Sequence, residues 1–391
     1  MQEKKLINCL MVLVLIYVGR IQELIPFLSS LMIGKVAVIL VLLLYIISKK
    51  DGQYKQPIFS YPQAKYVAII TLLALLSIPG SIWQWQSFDF VVSFYSKLLI
   101  FVYLIVMIVK TEDDLRKLCW GIGISCLVLC ITAVVNPKTV EGGRLYVGGT
   151  YDPNDFALLL TMCLPVMFYL WEKESGSIKH LLLVPMLISL YVIPKTGSRG
   201  GFLAFAIVMI AILLKKGIRY FIKGTFILAI ITAMFYFSGS QQLDRFKTIL
   251  DLDKDYNQDV QEGRVQIWKR SSMLMLDKPL LGSGVGAFTA AEGRTHEGGK
   301  WSTAHNSFIQ IGVEAGIFAL VAHIWIIWKM ISQARQRPGW LSSGLEVGLY
   351  AYVVGGMFLS WAYAYIFYLF VGLSLAQARI EVQQSASVEE T

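Results

Sequence analysis

Apolar residues in this chain fall into long, nearly unbroken runs separated by short polar breaks, without the every-other-residue alternation of half-buried strands. Runs of about 20 residues match a hydrocarbon core of roughly 30 Å at about 1.5 Å of helical rise per residue. The pattern predicts membrane spans over 6–27, 30–48, 64–82, 88–109, 115–135, 153–172, 179–195, 198–214, 218–238, 305–331, 343–361 and 363–380. Continuous apolar runs of this length favour helices over a barrel, so the expected fold is an all-α integral membrane protein of about 12 transmembrane helices. Pro26 and Ser29-Ser30 break the first pair closely enough that the two could form one tight hairpin. The whole chain, 1–391, reads as a single polytopic domain. Only 239–302 departs from the rhythm, as one long hydrophilic connection. Connections of that length inside a compact bundle are usually functional. Within it, Arg264, Trp268, Ser271 and Met275 recur at i, i+4, i+7 and i+11, which predicts a helix over 263–276 with these four on one face.

Composition agrees with the pattern: 56% hydrophobic residues against 16% charged, and a mean hydropathy of +0.60, exclude both a soluble globular domain and a disordered chain. The formal charge of +9, from 35 Lys and Arg against 26 Asp and Glu, would suggest a nucleic-acid partner in a soluble protein. Here the bilayer explains it better, because basic residues gather in short breaks as the positive-inside rule expects. With both termini cytoplasmic, the outer short connections hold only Arg20, Lys35, Lys138, Arg144, Lys195 and Arg199, while the inner side holds most of the others. The long connection then faces outward. Lys4-Lys5 followed by Leu6 to Val18 imitates a signal peptide, but Arg20 follows without a small-residue cleavage site, so the segment reads as a retained first helix. Cys9, Cys119, Cys126, Cys130 and Cys163 lie in or beside apolar runs and suggest neither a disulfide framework nor a metal site.

Polar residues that a bilayer would penalise carry the most information, and they cluster near the outer ends of spans. Asp152-Pro153-Asn154-Asp155 suits a helix start, with Asp152 as cap and Pro153 in the first turn. Arg144, just upstream, is either an ordinary loop charge or an anion contact. Lys195-Thr196-Gly197-Ser198-Arg199-Gly200-Gly201 predicts a tight turn in which glycine N–H groups, the Thr196 and Ser198 hydroxyls and the planar Arg199 fork could meet a phosphate. A turn whose basic side chains merely reach lipid headgroups is the plain alternative. Arg264 lies beside Trp268, Lys269 and Arg270, either as an anion contact or as a solvated basic face. Ala304-His305-Asn306-Ser307 opens the tenth span, with Asn306, Gln310 and Glu314 behind His305 along one helical face. A histidine there can accept a proton near neutral pH, as a general base must, or can simply be structural.

Other features carry less. His180, His296 and His323 have no second ligand at metal spacing, so no metal site or cofactor is expected. Gly282-Ser283-Gly284-Val285-Gly286 resembles a phosphate loop only superficially, with no strand before it and no Gly-Lys-Ser/Thr, and reads as a flexible turn after Pro279. Lys97 stands in mid-span, where it could line a wet cavity.

Arginines and one histidine at the outer membrane surface suit the transfer of a group from a lipid-borne diphosphate: the arginines neutralise the leaving group and the histidine takes a proton from the attacking hydroxyl. The chain also resembles the bacterial O-antigen ligase and O-antigen (Wzy-type) polymerase family. The words that carry the resemblance are Gly149-Thr150-Tyr151-Asp152-Pro153-Asn154-Asp155-Phe156, Thr196-Gly197-Ser198-Arg199-Gly200-Gly201, Gly263-Arg264 with Trp268, Pro279-Leu280-Leu281-Gly282-Ser283-Gly284, and His305-Asn306-Ser307 with Glu314-Ala315-Gly316.

The resemblance implies a C-type glycosyltransferase-like membrane fold in a bacterial inner membrane, with its active site on the periplasmic or outer face. It implies metal-independent transfer of a glycan from undecaprenyl diphosphate to an acceptor hydroxyl, with inversion. His305 would be the base, Arg199 and Arg264 would bind the diphosphate, and Arg144, Asn154 and Asn306 would assist. The acceptor, whether lipid A core, glycan repeat or protein, stays open, and with it ligase against polymerase of lipopolysaccharide or exopolysaccharide. A transporter or flippase of lipid-linked glycans would also want basic residues near the midplane and outer face, usually with internal repeats, and none stands out here. An interaction scaffold would leave His305 without a purpose.

Overall fold

The structure, a computed structural model, describes residues 2–25, 27–28, 31–48, 57–217, 263–296 and 301–389. The expected span 218–238 lies outside the described residues, as do 239–262 and 297–300 of the long connection. Helices stand at the other expected spans, and six are long and apolar enough to cross a membrane: Gln84–Ile108, Glu112–Val135, Pro153–Lys173, Ser177–Lys195, Ile317–Gln336 and Tyr365–Ser385. The chain divides into two compact units, Met1–Val41 with Thr111–Lys254 and Gln333–Gly355, and Leu42–Lys110 with Asp255–Ser332 and Gly356–Thr391.

In the first unit, α1 (Gln2–Tyr17) leads through a left-handed Arg20 (φ 50°) into the single turn α2 (Ile21–Leu24), so the expected span 6–27 is interrupted at Arg20. The helix α3 (Ile33–Ser48) follows and crosses from this unit into the second. Among the other described elements, α4 (Pro62–Ser77) and α5 (Gln84–Ile108) belong to the second unit. The first unit resumes at α6 (Glu112–Val135), which starts on a reciprocal cap: Thr111 Oγ1 accepts from the Asp114 N–H, and the Thr111 N–H donates to the Asp114 carboxylate. The buried stripe of Leu10, Leu13 and Val14 on α1 packs on α6.

A short antiparallel hairpin, β1 (Lys138–Val140) and β2 (Arg144–Tyr146), precedes α7 (Pro153–Lys173). Asp152 caps α7 as expected, its Oδ1 accepting from Asn154 N at 2.7 Å and Asp155 N at 2.8 Å. The helix α7 is buried from Phe156 to Met167 and is flanked by α8 (Ser177–Lys195) and α9 (Arg199–Lys216). Gly201 makes the α7–α9 contact possible, since a Cβ there would stand 2.5 Å from Ala157 Cβ.

In the second unit, Arg264–Asp277 forms α10, as the periodicity predicts, and Phe288–Gly293 forms α11. The expected span 305–331 is two helices, α12 (Ser307–Ala315) and α13 (Ile317–Gln336). Gly316 separates them at φ +89°, with the Ile317 N–H donating to Pro279 O. After α14 (Trp340–Gly356) of the first unit, residues 357–364 run as an irregular segment into α15 (Tyr365–Glu389), which packs on α5.

Candidate functional site

The first unit gathers the upstream candidates around one turn. Val192 to Lys195 end α8, and Gly197 (φ +57°) reverses the chain so that Ser198 caps α9, its Oγ accepting from Gly201 N at 3.1 Å. Thr196 is fully buried and its hydroxyl donates to Ile193 O at 2.6 Å, so this hydroxyl is not the free anion donor that the sequence suggested. Arg199 follows the cap as the first residue of α9, half-buried. Arg144 reaches the same turn from β2: its Nε donates to Thr196 O at 3.0 Å and its Nη2 to Asn154 Oδ1 at 2.7 Å. Arg144 and Asn154 therefore touch directly, and together they tie the start of α7 to the turn that presents Arg199.

A second polar knot lies beside this one. The Glu23 carboxylate receives the Gly149 N–H at 2.8 Å and the Thr150 N–H at 3.1 Å, the Thr150 hydroxyl and the Arg20 guanidinium. Burial alone would raise its pKa, but Thr150, Arg20 and Gly149 together hold the carboxyl below its usual range.

The second unit gathers the downstream candidates. The expected face of α10 is real: Ser271 is buried, Met275 packs where Gly312 leaves room on α12, and the Trp268 indole N–H donates to Ala304 O at 3.0 Å. Arg264 opens this helix, half-buried. Arg270 on the same helix forms an ion pair with the fully buried Glu292 of α11, whose second oxygen accepts from Ser302 N at 3.2 Å. The helix bearing Arg264 is thus tied twice to the strand of chain that leads into His305.

His305 itself is half-buried with φ +45°, a left-handed backbone that costs a residue with a side chain about 1–2 kcal/mol. Its N–H donates to Ser360 Oγ at 2.9 Å, and its Nε2 lies 3.3 Å from Thr303 Oγ1. Asn306 caps α12, its Oδ1 accepting from Phe308 N at 2.9 Å and Ile309 N at 3.1 Å. Asn306 therefore does not continue the Gln310 and Glu314 face as expected, because it precedes the helix and turns inward. Ser307 Oγ donates to Leu359 O at 2.8 Å and accepts from Trp361 N at 2.9 Å, while Gln310 Oε1 accepts from Ala362 N at 3.3 Å. These bonds to 359–362 were not legible in the sequence.

Glu314, near the end of α12, is buried, and its Oε2 has no hydrogen-bond partner. Burial pushes this carboxyl up to about 7, against the downward pull of the Gly286 and Phe288 N–H groups, the Tyr363 hydroxyl and Gln310. The glycine-rich segment beside it is a turn, as expected, but not a flexible one. Ser283 N donates to Val313 O at 2.7 Å, Gly284 N to Glu314 O at 3.0 Å and Val285 N to Ser77 Oγ at 3.0 Å. Gly282 and Gly284 have positive φ, and a Cβ on Gly282 would meet the 313–315 backbone at 2.5–2.7 Å.

Of the other flagged residues, His296 places its Nδ1 3.9 Å from the Glu292 carboxylate. Lys97 lies within α5, and His323 is buried in α13 between Phe308 and Phe367. Among the described residues, no three His, Cys, Asp or Glu side chains gather as a metal site would require.

Residues 184–324 match the family model described as O-Antigen ligase. The matched stretch contains Arg199, Arg264, His305 and Asn306 and begins downstream of Arg144 and Asn154. No curated protein matches the chain. The match and the six helices long and apolar enough to cross a membrane fit a multi-pass membrane protein, with the matched stretch similar to the O-antigen ligase family.

Proposed function

From the premise that residues 184–324 carry the O-antigen ligase family's sequence, we propose that this protein moves a glycan from undecaprenyl diphosphate to an acceptor hydroxyl at the outer face of the bacterial inner membrane. The observation that carries this reading is His305, held in a left-handed conformation at the mouth of α12, with the helix of Arg264 bonded to the residue before it. In the proposed step the acceptor oxygen attacks the anomeric carbon, and His305 takes the hydroxyl proton on a ring nitrogen. The anomeric C–O bond breaks with inversion, and its electron pair leaves on the diphosphate. Arg199 and Arg264 offer planar forks to the phosphate oxygens and offset the charge that grows on them. Arg144 and Asn154 support the reading indirectly, by fixing the turn that starts α9. The scheme requires no metal and no cofactor.

The test uses purified protein in liposomes with an undecaprenyl-diphosphate-linked glycan, a panel of lipid, glycan and protein acceptors, and EDTA. Transfer that persists in EDTA and vanishes in His305→Ala is expected, and the acceptor that gains sugar separates ligase from polymerase. Arg199→Lys is expected to weaken donor use despite the retained charge, because an ammonium lacks the bidentate fork. Passage of the lipid-linked glycan across the bilayer without covalent transfer, equal in wild type and His305→Ala, would establish a flippase instead.

A further inference from the structure

The peptide group joining Ala304 to His305 is held from both ends by side chains distant in sequence. Its carbonyl, Ala304 O, accepts from the Trp268 indole at 3.0 Å, and its N–H, on His305, donates to Ser360 Oγ at 2.9 Å. Ala304 and His305 lie outside any helix and Ser360 sits in the irregular 357–364 segment, while Trp268 reaches the peptide from α10. Ser360 is aimed in turn by its neighbours, because Ser307 bonds to the Leu359 carbonyl and the Trp361 N–H on either side of it. His305 immediately follows this doubly held peptide with φ +45°, and Asn306 caps α12 immediately after.

A peptide plane fixed at its oxygen and at its hydrogen has little freedom to rotate. Rotation is also what would return His305 to the ordinary right-handed or extended regions, with a different direction for its Cα–Cβ bond. We infer that Ser360 and Trp268 are positioning residues that clamp the Ala304–His305 peptide and so keep the His305 ring in the orientation required for proton transfer. The assignment rests on the reading of His305 as the base. Both residues act through the backbone of His305 and neither needs to touch substrate.

The test measures His305 directly as well as turnover. Wild type, Ser360→Ala, Ser360→Thr and Trp268→Phe are treated in liposomes with diethyl pyrocarbonate across a pH series, and carbethoxylation of each histidine is quantified by mass spectrometry. Ser360→Ala and Trp268→Phe are expected to change the pH profile of His305 labelling, with the exposed His180 unchanged, while Ser360→Thr keeps the wild-type profile. In the transfer assay the same two variants should lower kcat on the order of tenfold with donor KM little changed, short of the roughly 10²–10⁴ that loss of a general base costs. Labelling of His305 that is unchanged in both variants, or altered along with that of His180, overturns the clamp. Full activity in His305→Ala would defeat the base assignment alone, and the labelling profile would still decide whether the clamp exists.

Discussion

Replacing Glu314 with glutamine should make the protein more stable at alkaline pH and leave it nearly unchanged in mild acid. The carboxyl is buried and pushed up to about 7, from an ordinary value of 4.5, by loss of hydration. Between these two values the folded chain binds a proton that the unfolded chain releases. The stability this group confers is therefore fully present below about pH 4.5 and is lost as pH rises through about 7. At about 1.4 kcal/mol per pH unit, the full loss is about 3 kcal/mol, most of it between about pH 5 and pH 8. Glutamine has nearly the same shape as the neutral acid and cannot ionise, so it escapes the loss. The assay is denaturant unfolding in mixed micelles, followed by tryptophan fluorescence at both pH values, with wild type and Glu314→Gln compared at each. The comparison cancels the other carboxyls, which titrate alike in both proteins. A difference between the two proteins that stays constant from pH 5 to pH 8, or a variant less stable at pH 8, would refute the reasoning.

Glu292→Gln should cost about 3–5 kcal/mol in the same unfolding assay, because it strands the Arg270 guanidinium beside a neutral side chain in a buried site. Gly201→Ala should cost about 1–3 kcal/mol through the clash with Ala157, with Gly200→Ala as the neighbouring comparison. Ser198→Ala removes the α9 cap and should lower stability by about 1 kcal/mol while leaving donor KM unchanged, as measured in the liposome assay. The Glu23 carboxyl, held below its usual range, contributes stability that is present above about pH 4.5 and is lost as pH falls through the depressed value. Glu23→Gln should therefore flatten the acid limb of the stability profile, read by thermal unfolding between pH 3 and 6.

Local signals in the sequence were reliable where a helix starts on its own neighbours. Asp152 and Pro153 announced α7, and the Arg264-Trp268-Ser271-Met275 spacing announced α10, because a cap bond spans two or three residues and a helical face repeats every turn. The breaks were harder to see. Hydropathy runs without interruption through Gly316, and at 357–364 it marks only a one-residue gap between the spans 343–361 and 363–380, since a buried irregular segment needs the same apolar neighbours as a helix. What holds these breaks open is tertiary: Ile317 N finds Pro279 O, and Ser307 finds Leu359 and Trp361, 52 and 54 residues away. Gly316 did carry a usable cue, as a glycine directly after an amphipathic turn at the position where left-handed helix ends are common. Ser360 carried none, because a lone serine in an aromatic stretch has no local pattern.

Of the four candidate segments, the Arg264 helix opens on Gly263 without a side-chain cap, while the other three share one construction, which bears on how an anion would be recognised. Each places a polar or charged residue at a helix start, where orphan N–H groups and the helix dipole would by themselves favour negative charge. Yet Asp152 already accepts two of the N–H groups at the start of α7, Ser198 accepts one at α9, and Asn306 accepts two at α12. Caps inside the protein therefore hold the very donors that a bare helix end would offer a phosphate. On the proposed function, recognition at such a start rests on the side chains beside its cap: Asn154 bonded to Arg144 at α7, Arg199 at α9 and His305 at α12. Backbone amides make a site that any small anion can enter, whereas arginine forks on rigid helix starts select for a ligand that presents several phosphate oxygens at fixed spacing. For a lipid-borne diphosphate the second arrangement has a clear physical advantage: it leaves the helix ends stable without ligand, and it confines the binding energy to the charged groups that a leaving diphosphate needs.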